Sequence, residues 1–218
     1  MTLYRLSKSF STAVEPTERV IQVAIMFGLG LDESREVVVL DNVELAIEPG
    51  DVVYITGQSG SGKSVLLSEL KKQMSSWLDL SAGGEKIAFD KPLVDCFNGE
   101  LSEALYYLSL AGLNDAFVFL RKPSELSDGQ MYRFRLAQAM AVEPRCVFID
   151  EFCATLDRIT ARIIAANVRK FADKFKTTFI VATTHDDLYE DLQPDVYVEK
   201  LFGNRCEIEH SPGRRSQG

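Results

Sequence analysis

Apolar and polar positions change period several times along the 218-residue chain, and each period predicts an element. The first fifteen residues carry little pattern and are expected to form a loose or edge segment. After Pro16, the residues Val20, Val23, Ala24 and Phe27 fall at helical spacing, and Gly28 supplies a C-terminal stop. Two β-rich segments, 36–40 and 43–47, lead into a turn at Pro49-Gly50. The apolar run 52–56 has the form of a strand buried on both faces. Leu67, Leu70, Met74 and Trp77 then predict an amphipathic helix, broken at 81–84 by Ser-Ala-Gly-Gly. Beyond it come a strand at 86–89, helices at 101–110, 115–120 and 130–142, and a stop at Pro144. Strand and helix then alternate: 146–149, 159–175, 178–182 and 196–199. Ile164, Val168, Phe171 and Phe175 share one face of the long helix. The alternation predicts an α/β domain with a mainly parallel sheet, over residues 1–210, and a disordered tail at 211–218.

Composition narrows the function classes without choosing one. Lys and Arg number 24 against 32 Asp and Glu, a net charge of −8, with 46% hydrophobic residues. The acidity opposes a protein that coats nucleic acid by bulk charge. No apolar stretch approaches the roughly 20 residues of a membrane span, and MTLYRLSKSF lacks a secretion signal's apolar core. Cys96, Cys146, Cys153 and Cys206 show no paired ligand spacing, so a zinc site is not expected. Cys146 and Cys153 read as small buried hydrophobes in a reducing, cytoplasmic setting.

Chemistry enters between the predicted strand 52–56 and the helix that follows. Gly57-Gln58-Ser59-Gly60-Ser61-Gly62-Lys63-Ser64 fits the phosphate-loop pattern G-x-x-x-x-G-K-[ST] in the strand-to-helix context it requires, and Val65 continues it into the helix. The glycines let successive N–H groups turn toward phosphate oxygens, and the helix start adds its positive end. Lys63 is placed to reach the β- and γ-phosphates of ATP, and the Ser64 hydroxyl to ligate Mg²⁺. The strand 146–149 ends in Asp150-Glu151, two carboxylates at the sheet edge where open α/β folds bind ligands. Asp150 suits Mg²⁺, and Glu151 can polarise the water that attacks the γ-phosphate.

Leu126-Ser127-Asp128-Gly129-Gln130 stands 24 positions ahead of Asp150. With it, the chain resembles the ABC ATPase superfamily, whose LSGGQ signature departs here only at Asp128. Ala154-Thr155-Leu156-Asp157 is similar to the loop after that family's catalytic glutamate, and His185 falls where its switch histidine stands. The resemblance spans residues 57–185 and implies a phosphate-loop NTPase with an ABC-type core and a flanking antiparallel β segment. It implies that two copies pair head to tail around two ATP molecules, each held by one copy's phosphate loop and by Ser127 and Gly129 of the other. Glu151 then acts as base, His185 contacts the γ-phosphate, and Asp157 communicates between subunits.

The chain departs from that pattern in three places. The family's glutamine between phosphate loop and signature is missing; the only Gln there is Gln73, inside a helix, and Asp90 or Asp95 are the substitute candidates for holding Mg²⁺ or water. Only 64 positions separate Lys63 from Ser127, which implies a shortened helical subdomain. No Tyr or Phe lies in 36–47 to stack on adenine; Phe27 is a candidate, but it reads first as a buried helix residue. The short middle and Glu-Phe-Cys-Ala-Thr-Leu-Asp resemble a soluble ABC-type family sometimes joined to an acetyltransferase-like domain. The sequence reading is therefore a soluble ATPase that acts on an unknown protein partner. A transporter's nucleotide-binding subunit with a membrane partner is the alternative, followed by a DNA-maintenance ATPase and a slow nucleotide switch.

Overall fold

A computed structural model describes residues 1–12, 15–30, 35–80 and 90–211. In chain order the elements are β1 (Thr2–Thr12), α1 (Glu18–Phe27), β2 (Arg35–Ile47), β3 (Val52–Thr56), α2 (Lys63–Gln73) and β4 (Leu78–Asp79). There follow α3 (Leu101–Leu110), α4 (Ala116–Phe119), α5 (Asp128–Ala141), β5 (Cys146–Ile149), α6 (Arg158–Phe175), β6 (Thr178–Ala182), α7 (Tyr189–Leu192), β7 (Val196–Lys200) and β8 (Cys206–His210). Six strands form one sheet in the order β4-β5-β6-β3-β7-β8. All are parallel except β8, which runs antiparallel to β7. β1 and β2 make a separate antiparallel pair. The fold is thus α/β with a mainly parallel sheet and a flanking antiparallel β segment.

β3 explains the layering. Its side chains alternate between faces, so Val52 and Tyr54 enter one core while Val53 and Ile55 enter the other. The first core packs against α6 through Ala161, Ile164, Ala165, Val168 and Phe171. The second packs against α2 through Leu66, Leu67 and Leu70. A strand buried on both faces has to read as a continuous apolar run, which is why 52–56 is legible in the sequence. Each such side chain contributes about 1.5–3 kcal/mol of burial. Cys146 and Cys153 are buried free thiols, and burial pushes both up to about 12.

Several local expectations change. The first fifteen residues, expected to be a loose or edge segment, hold the 11-residue β1. The segments 36–40 and 43–47 join into one strand, β2, through a register shift at which Asn42 takes a left-handed φ of 47° and donates its N–H to Ser7 Oγ. The helix expected to reach Trp77 stops at Gln73: Ser76 is left-handed (φ 73°) and the Trp77 indole N–H donates to Lys71 O. α1 forms with Gly28 as its left-handed cap, but only Ala24 of its apolar set is buried, and Phe27 is exposed rather than a core residue. β8 lacks a sequence signal because its exposed side alternates polar and only Cys206 and Ile208 pack inward. The expected strand 86–89 and the tail from 212 lie outside the described residues.

Candidate functional site

The loop that leaves β3 curls back on itself at the centre of the sheet's carboxyl edge. Gly57 takes φ 140°, and a Cβ there would lie 2.2 Å from Lys200 O. Gly62 takes φ 106°, and its Cβ would meet Val39 Cγ1 of β2 at 2.6 Å. No side chain fits either place, so glycine is required by contact as well as by dihedral. Beneath the loop, Lys200 is fully buried, and its Nζ donates to Leu201 O (2.6 Å) and Gly203 O (2.7 Å).

Lys63 opens α2 and turns its Nζ back to Gly57 O (2.7 Å) and Gln58 O (3.0 Å). Burial lowers its pKa, while the Asp150 and Glu151 carboxylates raise it, so both acids lie within electrostatic reach. Ser64 Oγ donates to Asp150 Oδ2 at 2.6 Å, joining the loop to the end of β5. Ser61 Oγ is buried with no hydrogen-bond partner. Such an orphan costs about 1–3 kcal/mol unless a ligand satisfies it. A buried hydroxyl without a partner, a ring of loop amides and an ammonium over two carbonyls suit a polyphosphate. Ser64 and Asp150 together offer the hard oxygen pair that Mg²⁺ takes. The residues present therefore fit both ATP and its metal.

Glu151 follows at φ 54°, with its N–H donating to Asp150 Oδ1 and its side chain exposed. The turn carries on through Cys153, whose N–H donates to the hydroxyl of Tyr132 on α5. That bond ties the signature helix to the catalytic edge. Ser127 caps α5: Gln130 N–H donates to Ser127 Oγ, and Ser127 N–H donates to Gln130 Oε1. Its hydroxyl accepts in this cap and keeps a proton to donate outward. Leu126 packs against the core, while Asp128 is exposed at the first helical position. Gly129 lies against Leu156 and Thr155, so the signature and the loop after Glu151 touch. Asp157 caps α6 by accepting from Thr160 N and Oγ1, and these bonds hold its carboxyl below the usual range. His185 is exposed beyond the end of β6, with its carbonyl accepting from Tyr54 Oη (2.5 Å). Since β3, β5 and β6 are adjacent and parallel, Gly57–Ser64, Asp150–Glu151 and His185 share one sheet edge.

Asp90 and Asp95 do not join this group. Both are exposed, make no contact with Ser64 or Asp150 among the described residues, and instead help raise the Cys96 thiol, a shift due mainly to burial. Among the described residues, the strand beside β5 on that side is β4. Gln73 points elsewhere, donating to Arg5 O. An aromatic from outside 36–47 comes near the loop by way of β2: Phe10. It pairs with Val37 in the β1–β2 ladder, two residues from the Val39 that abuts Gly62, and its ring is 44% exposed. A Phe in a patternless segment 47 residues ahead of the loop gave no signal without that pairing.

A strand-loop-helix phosphate cradle, a serine–aspartate pair and a capped signature helix define a phosphate-loop ATPase. The ABC transporter family model matches residues 40–94. The lipoprotein-releasing system ATP-binding protein LolD of Pseudomonas syringae pv. tomato is 32% identical over 197 residues, covering 73% of this chain and 86% of LolD. The nickel import system ATP-binding protein NikE of Staphylococcus aureus is 30% identical over 179 residues, covering 70% of this chain and 76% of NikE. Among solved structures, the dimeric post-hydrolysis state of the ATP-binding cassette MJ0796 bound to ADP and Pi aligns over 97% of this chain and all of its own (TM-score 0.63, 18% identity). The chain belongs to the ABC transporter family of ATP-binding cassettes. It is an ATPase that binds ATP with Mg²⁺.

Proposed function

We propose that this chain is the nucleotide-binding subunit of a transport assembly, closing head to tail with a second copy on two ATP molecules and acting on a separate membrane partner. The likeness to an ATP-binding protein of a lipoprotein-releasing system, over 73% of this chain and 86% of that protein, carries this reading. It replaces the soluble, partner-gating ATPase expected from the sequence as the first choice. That soluble reading remains second, supported by the 64 positions between Lys63 and Ser127. No helix among the described residues is long and apolar enough to cross a membrane, so the helical membrane part of such an assembly lies outside them. A docking surface is available on the helical segment ahead of the signature, where Phe117 is 77% and Leu120 69% exposed. Leu93, in the same stretch ahead of the signature, is fully buried and adds nothing to that surface.

The two readings separate on membrane attachment. The protein is expected to sediment with membranes of its host in a salt-resistant way, and Phe117→Asp with Leu120→Asp to return it to the supernatant with basal ATP turnover intact. Sedimentation of neither form would favour the soluble ATPase.

Within the site, Lys63 exchanges two carbonyls for phosphate oxygens, and Ser61 gains the partner it lacks. Ser64 Oγ and Asp150 would hold Mg²⁺, which would supply neutralisation of charge on the phosphoryl group. Glu151 takes the proton of the attacking water, His185 donates to the γ-phosphate, and Ser127 and Gly129 donate from the partner copy. Asp157 stands at the junction of the two copies. Phe10 stacks on the base. Phe10→Ala should weaken ATP binding by roughly 5- to 150-fold, the equivalent of about 1–3 kcal/mol of stacking, with kcat at saturating ATP unchanged. Equilibrium binding of ATP against that of inorganic triphosphate checks it. Equal losses for both ligands, or no loss for ATP, would remove Phe10 from the site.

A further inference from the structure

A cavity of about 330 Å³ lies between α5 and the end of β5, walled by Leu80, Tyr132, Arg135, Asp150, Glu151 and Thr155 among others. Among the described residues of its wall, Arg135 is the cation. Its Nε is buried without a hydrogen-bond partner, and its guanidinium makes no hydrogen bond or ion pair among the described residues. Arg135 itself is half-buried, so the orphan is its one inward N–H, a cost of about 1–3 kcal/mol that a nearby acceptor would offset. Three carboxylates share the wall. Asp150 is already committed, with Oδ2 accepting from Ser64 and Oδ1 from the Glu151 N–H. Asp128 stands seven residues earlier on the same helix, about 10.5 Å along its axis, whereas a helical side chain covers about one turn toward the N-terminus. Glu151 remains, and its carboxylate has no hydrogen bond or ion pair among the described residues.

We propose that Arg135 is a positioning residue for Glu151: its guanidinium grips the Glu151 carboxylate when α5 moves inward, and so sets the angle at which Glu151 faces the attacking water. α5 begins at Ser127, the residue read as touching the partner copy's nucleotide, so seating of that nucleotide and orientation of this copy's base are mechanically joined. Tyr132, bonded to the Cys153 N–H one helical turn before Arg135, is the pivot between the two. The arrangement also answers the missing glutamine: orientation comes from the signature helix instead of the loop after β4.

The inference rests on the reading of Glu151 as base, and the test keeps the two apart. Arg135→Met retains the apolar stem and removes the charge; Arg135→Lys restores a cation; Glu151→Gln removes the base. A charge-assisted hydrogen bond of about 1.5–3 kcal/mol corresponds to a fall in kcat of about 10- to 150-fold. Arg135→Met should show that fall, with KM, equilibrium ATP affinity and ATP-dependent dimer formation unchanged and Tm not lowered. Arg135→Lys should regain part of the loss. Arg135→Met placed on Glu151→Gln should add nothing to the residual single-turnover rate. Unchanged kcat in Arg135→Met, or an equal loss on the Glu151→Gln background, overturns the proposal. Full turnover in Glu151→Gln itself would instead sink the reading of Glu151.

Discussion

Glu151→Gln is expected to lower ATP turnover by about 10²- to 10⁴-fold, the range that a positioned general base supplies, and to trap a dimer with ATP bound. Glutamine keeps the length and planarity of the side chain, so water can still be held, but it accepts no proton. The fold should not suffer. The Glu151 side chain is exposed, and its backbone donates an N–H to Asp150 Oδ1 and accepts from Ala154 N–H, both of which glutamine retains. The left-handed φ of 54° treats Glu and Gln alike. Phosphate release measured against molar mass in solution, with ATP and with ADP, reads both consequences. Turnover near the wild-type rate removes Glu151 from the chemistry. A variant that saturates with ATP yet stays monomeric at high protein concentration removes the head-to-tail sandwich.

The second large effect concerns the opposite edge of the sheet. Asp195 and Arg169 are both buried and form an ion pair at 2.6 Å. Asp195 Oδ2 also accepts from Val52 N–H at 2.8 Å, at the start of the strand that ends in the phosphate loop. Arg169 further donates to Asp173 and to Gly50 O, so α6, the turn before β3 and the start of β7 meet on one guanidinium. Asp195→Ala leaves a buried cation short of its partner and a buried N–H with none. Breaking such a pair costs about 3–5 kcal/mol. For a chain this long each kcal/mol is worth about 2–4 °C, so Tm should fall by roughly 6–20 °C. Asp195→Asn, which keeps an acceptor for Val52, should fall less. A Tm within about 2 °C of wild type in Asp195→Ala would show that water or Asp173 replaces the lost carboxylate. Since Arg169 and Asp195 lie at the far ends of the strands from Ser64 and Asp150, ATP affinity of the folded variant should hold.

Local signals were enough for the elements that form the catalytic edge. The strands 146–149 and 178–182, and the helix 101–110, fall where periodicity and turn residues put them. Each is specified by its own residues: a short apolar run for a strand covered on both faces, or a 3–4 spacing for a helix with one buried face. Signals failed where an element depends on a distant partner. β1 has weak alternation and exists because β2 lies across it over ten residue pairs. α1 has the helical period of a buried helix, yet its apolar residues are largely exposed, since a pattern states only that a face exists and not that anything covers it.

The same division runs through the site. The phosphate loop, Asp150-Glu151, the signature and His185 were each legible as sequence, because their chemistry needs adjacent residues in fixed order on one chain segment. Position between segments was not. That β4 flanks β5 has no signal in the sequence; that β2 carries Val39 against Gly62 sets Phe10, paired with Val37, near the phosphate loop; that α5 lies over β5 puts Arg135 and Glu151 in one cavity. The sequence by itself determined which groups can bind phosphate and activate water, since those capacities belong to side chains and local backbone. Only the tertiary structure decided which groups work together, because distances across a sheet depend on strand order and packing, and neither is written into any single stretch of residues.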